Sequence, residues 1–177
     1  PALARHRDPR PVQGGRRRKS MGAQSALRLA RHSPAEIDAR LVALVDRVAR
    51  RMRTAGRVGR TVTLRLRFAD FARATRAHTL AEATAHTPTL LGAARDLLAT
   101  AMPTIRHRGI TLVGVSVANL ADDGAVQLAL PFERTTAGTL DAALDDLRAR
   151  FGAGAVTRAV HLGHELGPEM PLLPDSL

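Results

Sequence analysis

The sequence predicts an α+β domain: a small four-stranded, mainly antiparallel sheet backed on one face by two antiparallel helices, with a C-terminal helix and tail. Three patterns carry this expectation. Apolar residues recur every three or four positions over 37–52 and again over 90–101, the signature of two amphipathic helices. They alternate with polar residues over 61–68, and a continuous β-branched run fills 110–120, as expected of a half-buried and a central strand. The order strand or arm, helix, strand, strand, helix, strand is that of a two-layer sandwich. The 177 residues suit one domain plus arms, and 45% of them are hydrophobic, enough to build a core.

The chain opens without a Met, and Pro1 to Gly15 is rich in Pro and Gly with nothing periodic to pack; it reads as a truncated beginning. Arg16-Arg17-Arg18-Lys19 leads into an extended segment at Ser20-Met21-Gly22-Ala23. Ser33, Pro34 and Glu36 form a capping box with Pro in the first turn. Behind it Ile37, Leu41, Leu44, Val45, Val48 and Met52 make one apolar stripe, which Gly56 ends. Val62, Leu64, Leu66 and Phe68 then alternate with Thr61, Thr63, Arg65 and Arg67, a strand with a basic outer face. After a turn at Ala69-Asp70, a weaker strand over Arg73 to Leu80 pairs with it. Thr87-Pro88 opens the second helix, as cap and first residue. Its stripe runs through Leu90, Leu91, Ala94, Leu97, Leu98 and Ala101, and Pro103 closes it. Ile110 to Leu120 is the central strand and Asp122-Asp123-Gly124 a turn. A third helix covers Thr139 to Phe151, its acids early and its arginines late, in keeping with the helix dipole. The remainder reads as a loosely ordered tail.

The formal net charge is +11, unevenly placed. Residues 1–60 hold 16 basic and 4 acidic side chains, residues 61–132 hold 7 and 5, and residues 133–177 hold 4 and 7. A basic head and acidic tail point to an anionic partner for the head, nucleic acid before a membrane surface. The longest uncharged stretch, Gly109 to Ala121, is 13 residues, too short to span a bilayer. With no cysteine there is no disulfide, thiolate-bound zinc or thiol nucleophile, a composition compatible with a reducing cytoplasm.

No catalytic constellation emerges. Asp122-Asp123 beside Gly124 reads as a solvated turn. His161-x-x-His164-Glu165 has no well-defined zinc spacing, and His78, His86 and His107 are isolated. The basic residues make the stronger case. Arg65 and Arg67 project from one strand face about 6.6 Å apart, the order of the phosphate spacing along one nucleic-acid strand. Arg73, Thr75 and Arg76 extend the row from the paired strand, Arg106 and Arg108 sit before the third, and Arg17, Arg18, Lys19 and Ser20 enter from the linker. Base-stacking readers need aromatic rings. Here there is no Tyr or Trp, and Phe68 falls on the buried register. What remains is sequence-independent, salt-dependent contact with the backbone of duplex DNA.

Arg18-Lys19-Ser20-Met21-Gly22, Thr63-Leu64-Arg65-Leu66-Arg67-Phe68, Asp70-Phe71, Thr75-Arg76 and Leu112-Val113-Gly114-Val115 occur in an order that resembles the C-terminal part of Y-family DNA polymerases, the DNA polymerase IV branch. The resemblance covers about residues 1–132. It implies the end of the thumb and linker over 1–15, a little finger (polymerase-associated) domain with its linker strand over 16–120, a clamp-binding segment over 121–132, and a C-terminal helix and tail over 133–177. It implies a nucleoid-associated, cytoplasmic, monomeric translesion polymerase that grips primer–template DNA through this domain and does not engage membranes. The catalytic carboxylates and their Mg belong to the palm, outside these residues, so no cofactor is expected here.

Gln127-Leu128-Ala129-Leu130-Pro131-Phe132 is similar to the hexapeptide by which bacterial polymerases dock on a sliding clamp. An extended segment offers Leu128, Leu130 and Phe132 to apolar pockets while the Gln127 amide fixes register. Alone it reads equally well as an edge strand; after a little finger the clamp is the better reading. Two further readings stay open: a non-catalytic Y-family-like adaptor, and a free-standing nucleic-acid-binding module.

Overall fold

The computed structural model describes residues 18–125 and 137–163. In chain order the elements are β1 (Ser20–Ala26), α1 (Pro34–Thr54), β2 (Arg57–Arg67), β3 (Arg73–Thr84), α2 (Thr87–Arg108), β4 (Leu112–Ala118), a two-residue β5 (Ala121–Asp122) and α3 (Ala137–Phe151). The sheet order is β1-β4-β2-β3 with every neighbour antiparallel, and β5 adds to the start of β2. α1 lies over β1 and β4, α2 over β2 and β3. The α+β sandwich expected from the sequence is the observed fold.

The core lies between the sheet and the two helices. Val62, Leu64 and Leu66 of β2, Val113, Val115 and Val117 of β4 and Met21 of β1 meet Ile37, Leu41, Leu44, Val45, Val48 and Met52 of α1 and Leu90, Ala94, Leu98 and Ala101 of α2. α1 starts where its capping box places it. The Ser33 hydroxyl accepts from the Glu36 amide at 3.2 Å, and the Glu36 carboxylate accepts from the Ser33 amide at 2.7 Å. Gly56 follows the helix at φ +59°, a left-handed turn that glycine adopts without strain.

Three expectations need correction. Pro103 does not end α2, which runs to Arg108. Pro103 removes one amide, but it and Ala99, whose carbonyl loses that partner, both lie on the exposed side, open to solvent. Thr87 is the first residue of α2 rather than its cap; the cap position falls one residue earlier, at His86, which makes no side-chain cap bond. The cap comes from α3: Asp141, 3% exposed, accepts from the Thr87 amide at 2.7 Å. Finally, the segment after Phe151 is not loose as far as Gly163. Arg158 and Arg148 both reach Asp46 of α1, at 2.9 and 2.8 Å, and a 3₁₀ turn at Ala159–His161 packs on that helix.

Candidate nucleic-acid interface

β-strand parity and the ladder registers define the sheet face that no helix covers. Arg65 stands opposite Thr75 and Gly114, Arg67 opposite Arg73 and Leu112, and Thr63 opposite Ala77 and Ser116. Ser20, Gly22, Gln24 and Ala26 complete the same face from β1. The residues that these registers place there include Arg65, Arg67 and Arg73 and a set of hydroxyls, with no carboxylate and no aromatic ring among them. Arg65, Arg73 and Thr75 are exposed. Arg67 is partly covered, its Nε held by the Thr111 hydroxyl at 3.1 Å, which leaves the rest of the guanidinium available. Thr111 is fixed in turn by donating to the Arg67 and Phe68 carbonyls.

The face is low beside these arginines. A Cβ on Gly22 would meet the Ser116 Cβ at 2.8 Å, which forces a shift, and one on Gly114 would meet the Gln24 Cβ at 3.1 Å, tight enough that its neighbour must give by a few tenths of an ångström. Sequence reasoning assigned no site role to Gly22, Gly114 or Ser116. The available signal was the small-residue runs of both strands, but only the β1–β4 register shows that they coincide.

The other expected site residues are more scattered. Lys19 is exposed just before β1, Arg18 precedes it, and Arg17 lies outside the described residues. Arg76 pairs with Leu64 and so points to the opposite face from Arg73, because an odd separation along a strand reverses the side. Arg106 and Arg108 are in the last turn of α2, in the helix layer, since the helix continues past Pro103. Arg108 is also engaged: it stacks over the Phe68 ring at 4.8 Å and pairs with Asp70, whose carboxyl that hydrogen bond holds below its ordinary value. Gln127, Leu128, Leu130 and Phe132 lie outside the described residues. Phe71, to which the sequence assigned no site role, stands 75% exposed at the β2–β3 turn with φ +63°.

Arginines elsewhere are mostly structural. Arg53 donates to Asp145 at 2.7 and 3.1 Å, to the Ala85 carbonyl and to the Thr87 hydroxyl, and pairs with Asp141. Arg95 is held by Asp38, which raises its pKa. Among the described residues no three His, Asp or Glu side chains gather closely enough to hold a metal ion. No described helix is long and apolar enough to cross a membrane.

Residues 18–130 match the model of the impB/mucB/samB family C-terminal domain. DNA polymerase IV 2 of Mesorhizobium japonicum is 39% identical over 168 residues, covering 88% of this chain and 40% of that protein. DNA polymerase IV of Alkalilimnicola ehrlichii is 38% identical over 134 residues, covering 72% and 36%. The chain thus spans about two fifths of the length of these curated relatives. A solved complex of a beta-clamp processivity factor with the little finger domain of PolIV contains a chain with 24% identity and a TM-score of 0.47, covering 63% of this chain and 97% of that one. With a family match over most of its length, the chain belongs to the impB/mucB/samB C-terminal domain family, and the curated relatives it resembles are DNA polymerases IV.

Proposed function

We propose that the uncovered sheet face lies along the backbone of primer–template DNA and holds it for a translesion polymerase whose palm performs synthesis with Mg. Arg65, Arg67 and Arg73 take phosphates, Ser20 and Thr75 add hydroxyl donors, and Arg18 and Lys19 continue the track from the linker. Arg76, Arg106 and Arg108 are left out of this row. The observation that carries the reading is the set of three arginines on one low face with no carboxylate opposite them. Such a surface attracts a polyanion and has no internal partner for its charge. With no ring on that face to stack on a base, its contacts are to phosphate and sugar and do not depend on sequence.

In the same reading Gln127, Leu128, Leu130 and Phe132 dock the protein on a sliding clamp, which keeps a modest DNA grip at high effective concentration. The protein works as a monomer in the cytoplasm, at the nucleoid. Mobility-shift titration of this chain with primer–template duplex over a range of salt tests the grip. Contact with about six phosphates gives a slope of log K on log salt near −5, and binding indifferent to salt refutes it. Clamp pull-down tests the peptide: capture unchanged by Leu130→Ala with Phe132→Ala removes it.

A further inference from the structure

The end of the molecule where α1 begins and α2 finishes carries a pocket in the helix layer, apart from the open sheet face. It measures about 440 Å³ and lies between the loop before α1 and the last turn of α2. Ile105 and Ile110, both buried, and the half-buried Met102 give it an apolar floor, and Pro34 lines it from the first turn of α1. Leu29, beside the lining residue Ala30, stands 77% exposed. The space is many times the roughly 30 Å³ of one water, so it has room for apolar side chains and not only for an ion.

The rim is cationic. Arg31 from the loop and Arg106 from α2 are exposed there, and neither has a hydrogen-bond or ion-pair partner among the described residues. Arg108 lines the pocket too but is engaged by Asp70, and His32 is held by the Arg28 carbonyl, so neither adds to the excess. No carboxylate is among the described lining residues. The carbonyl end of α2 offsets about half a charge, less than the two free guanidinium groups supply. An occupant that suits both floor and rim is apolar and acidic at once.

The chain contains a segment of that chemistry. Residues 164–177 hold Glu165, Glu169 and Asp175 with no Lys or Arg, among Leu166, Met170, Leu172, Leu173 and Leu177. Pro168, Pro171 and Pro174 restrict its backbone, which lowers the entropy lost on docking. Its origin lies within reach of the pocket. His161 faces α1 at Ala43, and the helix from Ala43 back to Pro34 covers about 14 Å of axis. The stretch from Gly163 to Glu169 can span about 20 Å.

We propose that residues 164–177 dock in this pocket of their own chain. Met170, Leu172 and Leu173 cover the apolar floor, and Glu169 and Asp175 on either side of them pair with Arg31 and Arg106.

The chain has no cysteine, so disulfide trapping in the full chain tests the contact. Ala30→Cys with Leu173→Cys, oxidised at dilution, is expected to cross-link within one chain about tenfold faster than Thr100→Cys with Leu173→Cys. Thr100 is exposed on α2 outside the pocket. Adding Arg31→Glu with Arg106→Glu is expected to slow the Ala30 cross-link about tenfold, as for the loss of two exposed ion pairs. Further addition of Glu169→Arg with Asp175→Arg should restore it. Equal rates at the two sites overturn the proposal, as does a rate indifferent to reversal of the arginines or one that the second reversal fails to restore. Cross-links formed chiefly between chains make the occupant a second copy and overturn it as well. Should Ala30→Cys not fold, His107→Cys, exposed at the same pocket, carries the same expectations.

Discussion

The two layers of this molecule use arginine in opposite ways. In the helix layer and its C-terminal extension, guanidinium groups meet carboxylates: Arg53 with Asp141 and Asp145, Arg95 with Asp38, Arg108 with Asp70, and Arg148 and Arg158 with Asp46. On the open sheet face Arg65, Arg67 and Arg73 meet hydroxyls, glycine and one another. Net charge does not distinguish the populations; the nearest carboxylate does. The paired set fastens elements together, and in its largely buried members, Arg53 with Asp141 and Arg148 with Asp46, removing one partner leaves a buried charge unpaired. The unpaired set contributes little to folding and is available to an external anion.

Exchanging the two populations for neutral residues should therefore separate binding from stability. The largest effect is expected for the triple change Arg65→Ala, Arg67→Ala and Arg73→Ala. It lowers duplex affinity about a hundredfold near physiological salt and flattens the log–log salt slope by about 2.7, with Tm nearly unchanged. An unaltered slope would remove the sheet face from the DNA. Next comes Asp46→Ala, which strands Arg148 and Arg158 and should cost about 2–3 kcal/mol in urea unfolding while leaving the salt slope intact. Ser33→Ala removes half of the α1 capping box for about 1 kcal/mol, again without affecting DNA. The smallest effect sharpens the contrast: Arg76→Ala, three residues from Arg73 but on the reverse face, should leave both slope and Tm where they were.

Acid should loosen the C-terminal extension in two stages. The folded pKa of His161 lies below the ordinary 6.5, so as pH falls the unfolded chain takes up that proton first. Its stabilisation is whole above about 6.5 and is lost as pH drops through the folded value. The folded pKa of Asp46 lies below 3.8, which by the same sign places its loss further into acid. Thermal scans from about pH 7.5 to 3, spanning both ordinary values, should show the first decline in the native chain and not in His161→Phe.

Much of the fold was legible because its determinants are local. The stripe of α1, its capping box and the alternation of β2 each lie within one short window, and each is realised residue for residue. The errors came where a distant partner decided. Pro103 and the residue whose carbonyl it orphans lie on the exposed side of α2, and the helix packed on the sheet runs on past it. Thr87 needs no cap of its own because Asp141 arrives 54 residues later. The segment 152–163 carries no periodicity, yet one aspartate on α1 anchors it. For the interface, parity within β2 placed Arg65 and Arg67 correctly, and the same parity separates Arg73 from Arg76.

The carboxylate that α3 lends to the start of α2 has a practical corollary for anyone shortening this protein. Cutting the chain behind the hexapeptide, a natural way to probe the clamp peptide in isolation, takes away Asp141 and Asp145 together. Arg53 then loses both acids it pairs with, and the Thr87 amide its acceptor, deep in the domain that was meant to stay intact. A weakened truncation should therefore be compared with Asp141→Asn in the uncut chain before any loss of binding is ascribed to the missing tail.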